Sequence, residues 1–160
     1  MSAALEGSRI RMERTGVKRA RALAVGDLSV VRAAEGWPHA DSLSAIRADA
    51  EHAVTDEQTG FLAVLRDTGE VVGECGWKGG PDASGTAEIG YGLAIPYRRQ
   101  GLGRELVELL VDWALEQPGC TQLIAEVHQS NIASRRVLER LGFTPERVDD
   151  PYVTYALSRE

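Results

Sequence analysis

The residues most able to do chemistry lie in one stretch, from Glu88 to Gly103. A strand-like apolar segment ends near Ile95, a short loop with two glycines follows, and an apolar helix pattern begins near Leu102. Backbone N–H groups at a helix N-terminus lack helical acceptors, and the helix dipole favours negative charge there. Glycines let a ligand approach the backbone closely. We therefore predict a diphosphate-binding loop, with phosphate charge offset by Arg98, Arg99 and Arg104.

The overall composition bounds the partners of this loop. A chain of 160 residues predicts one domain, residues 1–160, and a net charge of −6 argues against general nucleic-acid binding. Residues 1–24 nevertheless carry six Lys or Arg against two Glu. We interpret residues 1–18 as a poorly ordered or peripheral N-terminal arm, with contact to nucleic acid or an acidic partner as the alternative.

The cysteines and the hydropathy pattern indicate a cytoplasmic protein. Cys75 and Cys120 are far apart, and this spacing predicts neither a disulfide framework nor a metal site. No apolar run reaches the roughly 18 residues of a membrane span. The arginine-rich start also lacks the apolar core of a signal peptide. We expect no membrane partner.

The elements that position the loop follow from periodicity. Residues 20–25 predict a strand, residues 28–35 and 41–53 predict helices, and strands at 61–65, 71–77 and 87–95 form a meander. A strongly periodic helix covers 102–116, and a strand, a capped helix and one or more final strands follow it. This order predicts an α+β fold with a mixed, mostly antiparallel sheet of six to seven strands and about four helices.

Two motifs together resemble the GNAT superfamily of acyl-CoA-dependent N-acyltransferases. The first is Arg98-x-x-Gly101-x-Gly103, and the second is Asn131-x-x-Ser134 followed by an amphipathic helix that ends in Gly142-Phe143. One helix and one strand separate the two motifs, as they do in the family. The residues around both motifs are most similar to the branch of ribosomal-protein alanine N-acetyltransferases. The resemblance implies a twisted GNAT sheet and acetyl-CoA as co-substrate, and no metal.

The resemblance also implies where acetyl-CoA binds. The end of the organising strand offers backbone groups to the pantetheine arm, and an N–H near Leu93 or Ala94 polarises the acetyl carbonyl. The loop and helix N-terminus hold the diphosphate. Asn131 hydrogen-bonds the pantetheine, and Arg135 or Arg136 meets the nucleotide phosphate unless it only covers a solvated helix face. The cofactor-binding residues implied are Leu93, Ala94, Ile95, Arg98, Arg99, Gln100, Gly101, Leu102, Gly103, Arg104, Asn131, Ser134 and Arg136.

Amine attack on a thioester needs a base for the amine proton and an acid for the thiolate. Many family members carry a Tyr acid four residues beyond the Ser134 position, where this chain has Leu138. We predict Ser134 as the acid, with a helix-capping role as the alternative. Glu88 is the predicted base because burial within an apolar strand raises a carboxyl pKa, with an ion pair or edge position as the alternative. Glu126 is a second catalytic candidate.

The acceptor is predicted to be a primary amine on a small molecule, an amino acid or a protein N-terminus. The predicted substrate-binding residues are Trp37, His39, Trp77 and His128. Trp77 and Tyr91 are interpreted as pocket wall or core, and His128 shares a strand face with Glu126. A non-catalytic acyl-CoA-binding sensor is the alternative function, favoured by Leu138. A longer acyl chain and a monomer or homodimer remain open.

Overall fold

A computed structural model describes residues 4–158 as one eight-stranded sheet with helices on both faces. The strands run in the order β1-β2-β3-β4-β5-β6-β8-β7, and only β5 and β6 pair in parallel. Their bounds are β1 Ala4–Glu6, β2 Ile10–Arg14, β3 Phe61–Leu65, β4 Val71–Trp77, β5 Thr86–Leu93, β6 Gln122–His128, β7 Thr144–Asp149 and β8 Tyr152–Ser158.

Two helices cover each face of the sheet. The helices are α1 Val17–Ala24, α2 Ala40–His52, α3 Leu102–Glu116 and α4 Ile132–Arg140. Buried residues of α3 and α4 share one core with one face of the strands, and buried residues of α1 and α2 share a second core with the other face. The predicted α+β class with a mixed, mostly antiparallel sheet and four helices is confirmed. The sheet has eight strands among residues 4–158, one more than the upper prediction.

The N-terminal segment belongs to the sheet. β2 pairs with β3 along its whole length, and Ile10 and Met12 are fully buried. The predicted poorly ordered arm is therefore wrong for residues 4–18, while residues 1–3 lie outside the described part of the chain. Arg11 and Glu13 alternate with Ile10 and Met12 along β2 and lie on the opposite face, whereas Arg14 shares the face of Ile10 and lies 4.1 Å from the Phe61 ring centroid.

The segment after β2 also differs from its prediction. Residues 20–25, expected as a strand, lie mostly in α1, because a short apolar run does not distinguish a strand from a helix. The expected helix over 28–35 is only a single 3₁₀ turn, Leu28–Val30. Beyond that turn the chain is extended, and Ala33 forms a parallel bridge to Val71.

The feature that shapes the site is a gap between β5 and β6. Their parallel pairing covers Thr86–Glu88 and Gln122–Ile124. Further along, β5 remains paired with β4 up to Leu93, while β6 remains paired with β8 up to His128. The two central strands therefore diverge after Glu88, and the gap opens towards the loop that precedes α3.

Candidate functional site

The loop between β5 and α3 has the geometry of an anion site. Gly101 is the N-cap of α3, has a φ of 83°, and makes no side-chain cap. The first N–H groups of α3 therefore have neither a helical acceptor nor a capping side chain. Arg99 also has a positive φ of 65°. The arginines at 98, 99 and 104 are exposed around this helix start, so the loop fits a diphosphate by charge and by available donors.

Side chains from both ends of the loop fix its conformation. Arg98 Nε donates to Leu93 O at 3.0 Å, and Gln100 Nε2 donates to Pro96 O at 3.1 Å. Arg9 was not among the predicted residues, yet its guanidinium donates to Gln100 O at 2.8 Å and to Glu105 Oε1 at 3.1 Å. The start of β2 thus holds the loop against the first turn of α3.

The backbone of β5 presents donors to the gap. Ala94 N donates to Val72 O at 2.8 Å, and Lys78 N donates to Glu88 O at 2.8 Å. Because antiparallel strands alternate between bonded and non-bonded pairs, Leu93 and Tyr91 direct their N–H groups away from β4 and into the gap. Ala94 is therefore excluded as the predicted carbonyl-polarising donor, and Leu93 fits that role. Ile95 is 70% exposed at the start of the following turn.

The start of α4 places two hydroxyl groups together. Asn131 Oδ1 accepts a hydrogen bond from Ser134 N at 3.1 Å and caps the helix. The hydroxyl of Ser134 is not the cap, and it hydrogen-bonds the hydroxyl of Tyr91 from β5. Burial raises the pKa of Tyr91, so the phenol stays protonated at neutral pH. Sequence reasoning treated Tyr91 only as core or pocket wall.

Further along α4, the side chains separate into core and surface. Leu138, at the position where many family members carry a tyrosine, is fully buried. Arg135 donates to the Tyr155 hydroxyl at 3.1 Å and to Gln129 O at 3.0 Å. Arg135 is therefore held by internal partners, whereas Arg136 is exposed. Of the two arginines, Arg136 is the one available to a nucleotide phosphate.

A cleft of about 960 Å³ lies between α2 and the ends of β3, β4 and β5. Gly90 and Tyr91 of β5 form part of its wall, so the strand that borders the gap also borders the cleft. Four carboxylate residues line it, whereas its basic lining residues are His52 and Lys78. The acidic lining residues are Asp41, Asp49, Glu57 and Glu74.

Glu74 on β4 is the buried carboxylate of this cleft and was missed by sequence reasoning. Its side chain is 8% exposed, and Oε1 accepts a hydrogen bond from Trp37 Nε1 at 2.8 Å. Burial raises the pKa of Glu74, with a further rise from Asp41, while Ser42, Trp37 and His39 oppose the shift. A carboxylate within the apolar and glycine-rich run Val71–Trp77 is the same signal that singled out Glu88.

The predicted catalytic carboxylates lie elsewhere. Glu88 Oε2 forms an ion pair with Lys78 Nζ at 3.0 Å, and its side chain is 32% exposed. Glu126 is exposed on β6. His128 follows two residues later on the same face, accepts a hydrogen bond from Ser130 N at 3.2 Å, and packs edge-on against Tyr152. None of Glu88, Glu126 and His128 is among the residues lining the cleft.

Of the predicted substrate-binding residues, Trp77 lines the cleft, whereas Trp37 and His39 lie behind Glu74 and are not among the lining residues. Trp77 lines it and packs on Trp113 with ring centroids 4.6 Å apart. Trp37 is 4% exposed and reaches the cleft through its hydrogen bond to Glu74. His39 caps α2 by accepting from Ser42 N at 3.3 Å, and its Nε2 is buried without a hydrogen-bond partner among residues 4–158.

Comparison with known proteins decides the family. A family model described as an acetyltransferase (GNAT) domain matches residues 11–144. The chain belongs to the GNAT acetyltransferase family. Enzymes of this family move an acetyl group from acetyl-CoA to an amine.

Curated GNAT relatives match part of the chain. The uncharacterised N-acetyltransferase YjdG of Bacillus subtilis is 35% identical over 111 residues, which are 67% of this chain and 66% of that protein. The [ribosomal protein bS18]-alanine N-acetyltransferase of Escherichia coli K12 is 42% identical over 64 residues, 40% of this chain and 43% of that protein. The chain thus matches just under two thirds of the length of the first relative and less than half of the second.

Solved GNAT structures match almost the whole chain at low identity. The ribosomal-protein-S5-alanine acetyltransferase of Vibrio fischeri superposes with a TM-score of 0.69 at 16% identity, covering 99% of this chain and 98% of that one. The microcin C7 self-immunity acetyltransferase MccE, in complex with acetyl-CoA and AMP, gives 0.67 at 16% identity, covering 99% and 97%. These matches show the GNAT fold. Within residues 4–158, no helix is both long and apolar enough to cross a bilayer.

Proposed function

We propose that this enzyme acetylates a primary amine bound in the cleft beside α2, with acetyl-CoA lying in the gap between β5 and β6. The observation that carries the proposal is the continuity of β5. Gly90 and Tyr91 line the cleft, and the same strand leads through Leu93 to the uncapped start of α3 at Gly101. One strand thus borders both reactants, as direct transfer between them requires.

The residues of the gap fit acetyl-CoA, which supplies the acetyl thioester. The uncapped N–H groups of α3 and the surrounding arginines receive the diphosphate. Arg98 uses Nε to hold Leu93 O, which leaves its two Nη groups available to phosphate oxygens. The Leu93 N–H, directed into the gap, donates to the acetyl carbonyl oxygen and stabilises charge that develops there. The Asn131 side-chain amide retains its N–H donors for the pantetheine.

Ser134 is the proposed proton donor to the departing thiolate. Its hydroxyl is half-buried at the N-terminus of α4 and is paired with the hydroxyl of Tyr91. When Ser134 gives up its proton, the phenol of Tyr91 can replace it, because burial keeps that phenol protonated. Tyr91 thus resupplies the proton of Ser134. In many relatives a tyrosine at the Leu138 position is the proton donor instead.

The predicted base needs separate testing. Glu88 stays a prediction, and its ion pair with Lys78 at 3.0 Å would have to open before it could accept a proton. Glu126 is exposed to solvent on the neighbouring strand. If one of these two carboxylates is the base, its own variant, Glu88→Gln or Glu126→Gln, should lower amine turnover. Acetyl-CoA affinity should stay unchanged.

The acetylation itself is tested by release of the CoA thiol. Acetyl-CoA is mixed with panels of small amines, amino acids and peptides with free N-termini, and mass spectrometry identifies any acetylated product. We expect turnover with at least one primary amine and none with its N-blocked analogue. Binding of acetyl-CoA without turnover across all three panels would contradict the proposal.

A further inference from the structure

A buried carboxylate at the inner wall of the cleft has no lysine or arginine partner in the part of the chain that the structure describes. Glu74 is 8% exposed, and no lysine or arginine of residues 4–158 forms an ion pair with it. An unpaired buried charge is costly, so such a group either holds a proton or awaits a positive charge from outside. Because Glu74 lines the cleft, a bound ligand can supply that charge.

The position of Glu74 brings it to the backbone of β5 beside the gap. Glu74 and Gly92 are directly opposite each other in the β4–β5 ladder. A Cβ on Gly92 would lie 2.5 Å from Glu74 Oε2, so the carboxylate occupies the space that any side chain there would need. The next residue, Leu93, directs its N–H into the gap. The carboxylate therefore lies one residue from the proposed donor to the acetyl oxygen.

Two side chains orient this carboxylate. Trp37 Nε1 donates to Oε1 at 2.8 Å, which leaves Oε2 on the Gly92 side. His39 Cε1 would lie 3.6 Å from the same Cβ position, so the imidazole packs against the same point of β5. Because His39 Nδ1 accepts from Ser42 N, the neutral ring carries its proton on Nε2. That buried Nε2–H is a donor without a partner among the described residues.

The charges around the cleft favour a cationic ligand. Asp41, Asp49 and Glu57 line it together with Glu74. Lys78 is already paired with Glu88, and His52 is mostly exposed at 79%. The lining of the cleft therefore has more carboxylates than cations, with Glu74 at its inner wall. This excess of negative charge attracts an ammonium group that enters the cleft.

We infer that Glu74 is the general base of the transfer, and that the acceptor enters as a primary ammonium ion whose proton passes to Glu74 Oε2. This inference rests on the proposed acetyl transfer. The freed lone pair forms the C–N bond, the C–S bond breaks, and the thiolate takes a proton from Ser134. The nitrogen loses a second proton to water as the amide forms. Of the two protons that leave the nitrogen, one replaces the proton that Ser134 gave to the thiolate, and the other is released to solvent.

The arrangement also separates base and acid in space. Glu74 lies on the face of the sheet covered by α1 and α2, because its neighbours there are Trp37 and His39. Ser134 lies on α4, on the opposite face, with Tyr91. The amine therefore approaches from one face and the thiolate leaves towards the other.

The test is the pH dependence of kcat/KM for the amine identified by the thiol-release assay. Glu74→Gln should lower kcat/KM by about 10²–10⁴-fold and remove the acid limb of the profile, with acetyl-CoA affinity unchanged. The groups facing Glu74 are Trp37, His39, Asp41, Ser42 and the thiol of Cys75. Trp37→Phe removes a donor to the carboxylate and should move the acid limb to higher pH without abolishing it. Glu116→Gln, exposed at the end of α3, is the matched control and should change neither quantity.

Three outcomes would overturn the inference. The first is a Glu74→Gln enzyme with the wild-type pH profile. The second is loss of the acid limb in Glu88→Gln or Glu126→Gln but not in Glu74→Gln. The third applies if Glu74→Gln fails to bind acetyl-CoA, and it is measured on Glu74→Asp. An aspartate is a base shortened by one methylene, so this variant should keep the acid limb at a reduced rate. Loss of the acid limb in Glu74→Asp would refute the role of Glu74. Absence of turnover in the wild-type enzyme would instead refute acetyl transfer itself.

Discussion

Gly92→Ala is the sharpest test of the geometry at the cleft. The added Cβ would lie 2.5 Å from Glu74 Oε2 and 3.6 Å from His39 Cε1. An unstrained carbon–oxygen contact needs about 3.3 Å, so the carboxylate must retreat by roughly 1 Å. Its other oxygen is held by Trp37 at 2.8 Å, and the retreat stretches that hydrogen bond beyond its normal range.

The expected cost has two parts. Overpacking of this kind destabilises a protein by about 1–3 kcal/mol, and each kcal/mol lowers the Tm of a chain this size by about 2–4 °C. If Glu74 is the base, a misplacement of about 1 Å lowers kcat/KM for the amine by about 10²-fold. Acetyl-CoA affinity should not change, because the methyl group points at Glu74 and His39 and not into the gap.

The chain provides a matched control on the same face of the same strand. A Cβ on Gly90 would meet only Lys78 Cε, at an ordinary 3.6 Å. Gly90→Ala should therefore keep the Tm of the wild-type enzyme and, because it leaves Glu74 in place, should lose less turnover than Gly92→Ala. Thermal unfolding, calorimetric titration with acetyl-CoA and steady-state amine kinetics give the comparison. If Gly92→Ala retains the turnover of Gly90→Ala, the carboxylate does not act at this position and the reasoning fails.

Three further changes test other parts of the site. Ser134→Ala should lower kcat by about 10²-fold without weakening acetyl-CoA binding, measured by steady-state kinetics and calorimetry, and an unchanged kcat would exclude Ser134 as the acid. Leu138→Tyr should not raise kcat, since residue 138 is fully buried. Overpacking should instead lower the free energy of unfolding by about 1–3 kcal/mol. Higher turnover of this variant in the thiol-release assay would contradict the expectation for kcat. Burial tends to raise the pKa of Glu105, but hydrogen bonds from Arg9 and Ile10 lower this pKa overall. The ionised Glu105 therefore stabilises the folded protein at neutral pH, and this stabilisation is lost as the pH falls through the folded-state pKa. Glu105→Ala should therefore cost about 1–3 kcal/mol at neutral pH and less in acid, as urea unfolding at both pH values will show, and a pH-independent cost would refute the assignment.

Local sequence patterns were sufficient to predict α3 and the loop that precedes it. The periodicity of residues 102–116 predicted α3 with its observed bounds. The glycines before it marked the loop because a positive φ at Gly101 is a local requirement that glycine meets at no steric cost. Both signals depend on neighbouring residues alone.

The surroundings of Glu74 and Tyr91 depend on contacts between distant residues, which sequence reasoning did not predict. Glu74 and Trp37 are 37 residues apart, and Tyr91 and Ser134 are 43 apart. Burial of Glu74 depends on the packing of α2, which no local pattern around residue 74 reveals. β7 was also not predicted as a separate strand, because all six of its residues are exposed and it lacks an alternating apolar pattern.

The contacts of Arg9 link acetyl-CoA binding to the opening of the first long strand. Arg9 holds the carbonyl of Gln100 in the loop, and the N–H of the next residue, Ile10, donates to Glu105 Oε2 at 2.8 Å. A ligand that binds only the ordered loop stabilises every segment that must be ordered with it. Acetyl-CoA should therefore slow hydrogen exchange at the amide of Ile10. Hydrogen exchange at the start of β2 would then measure how much of the enzyme has acetyl-CoA bound, although β2 lies outside the transfer site.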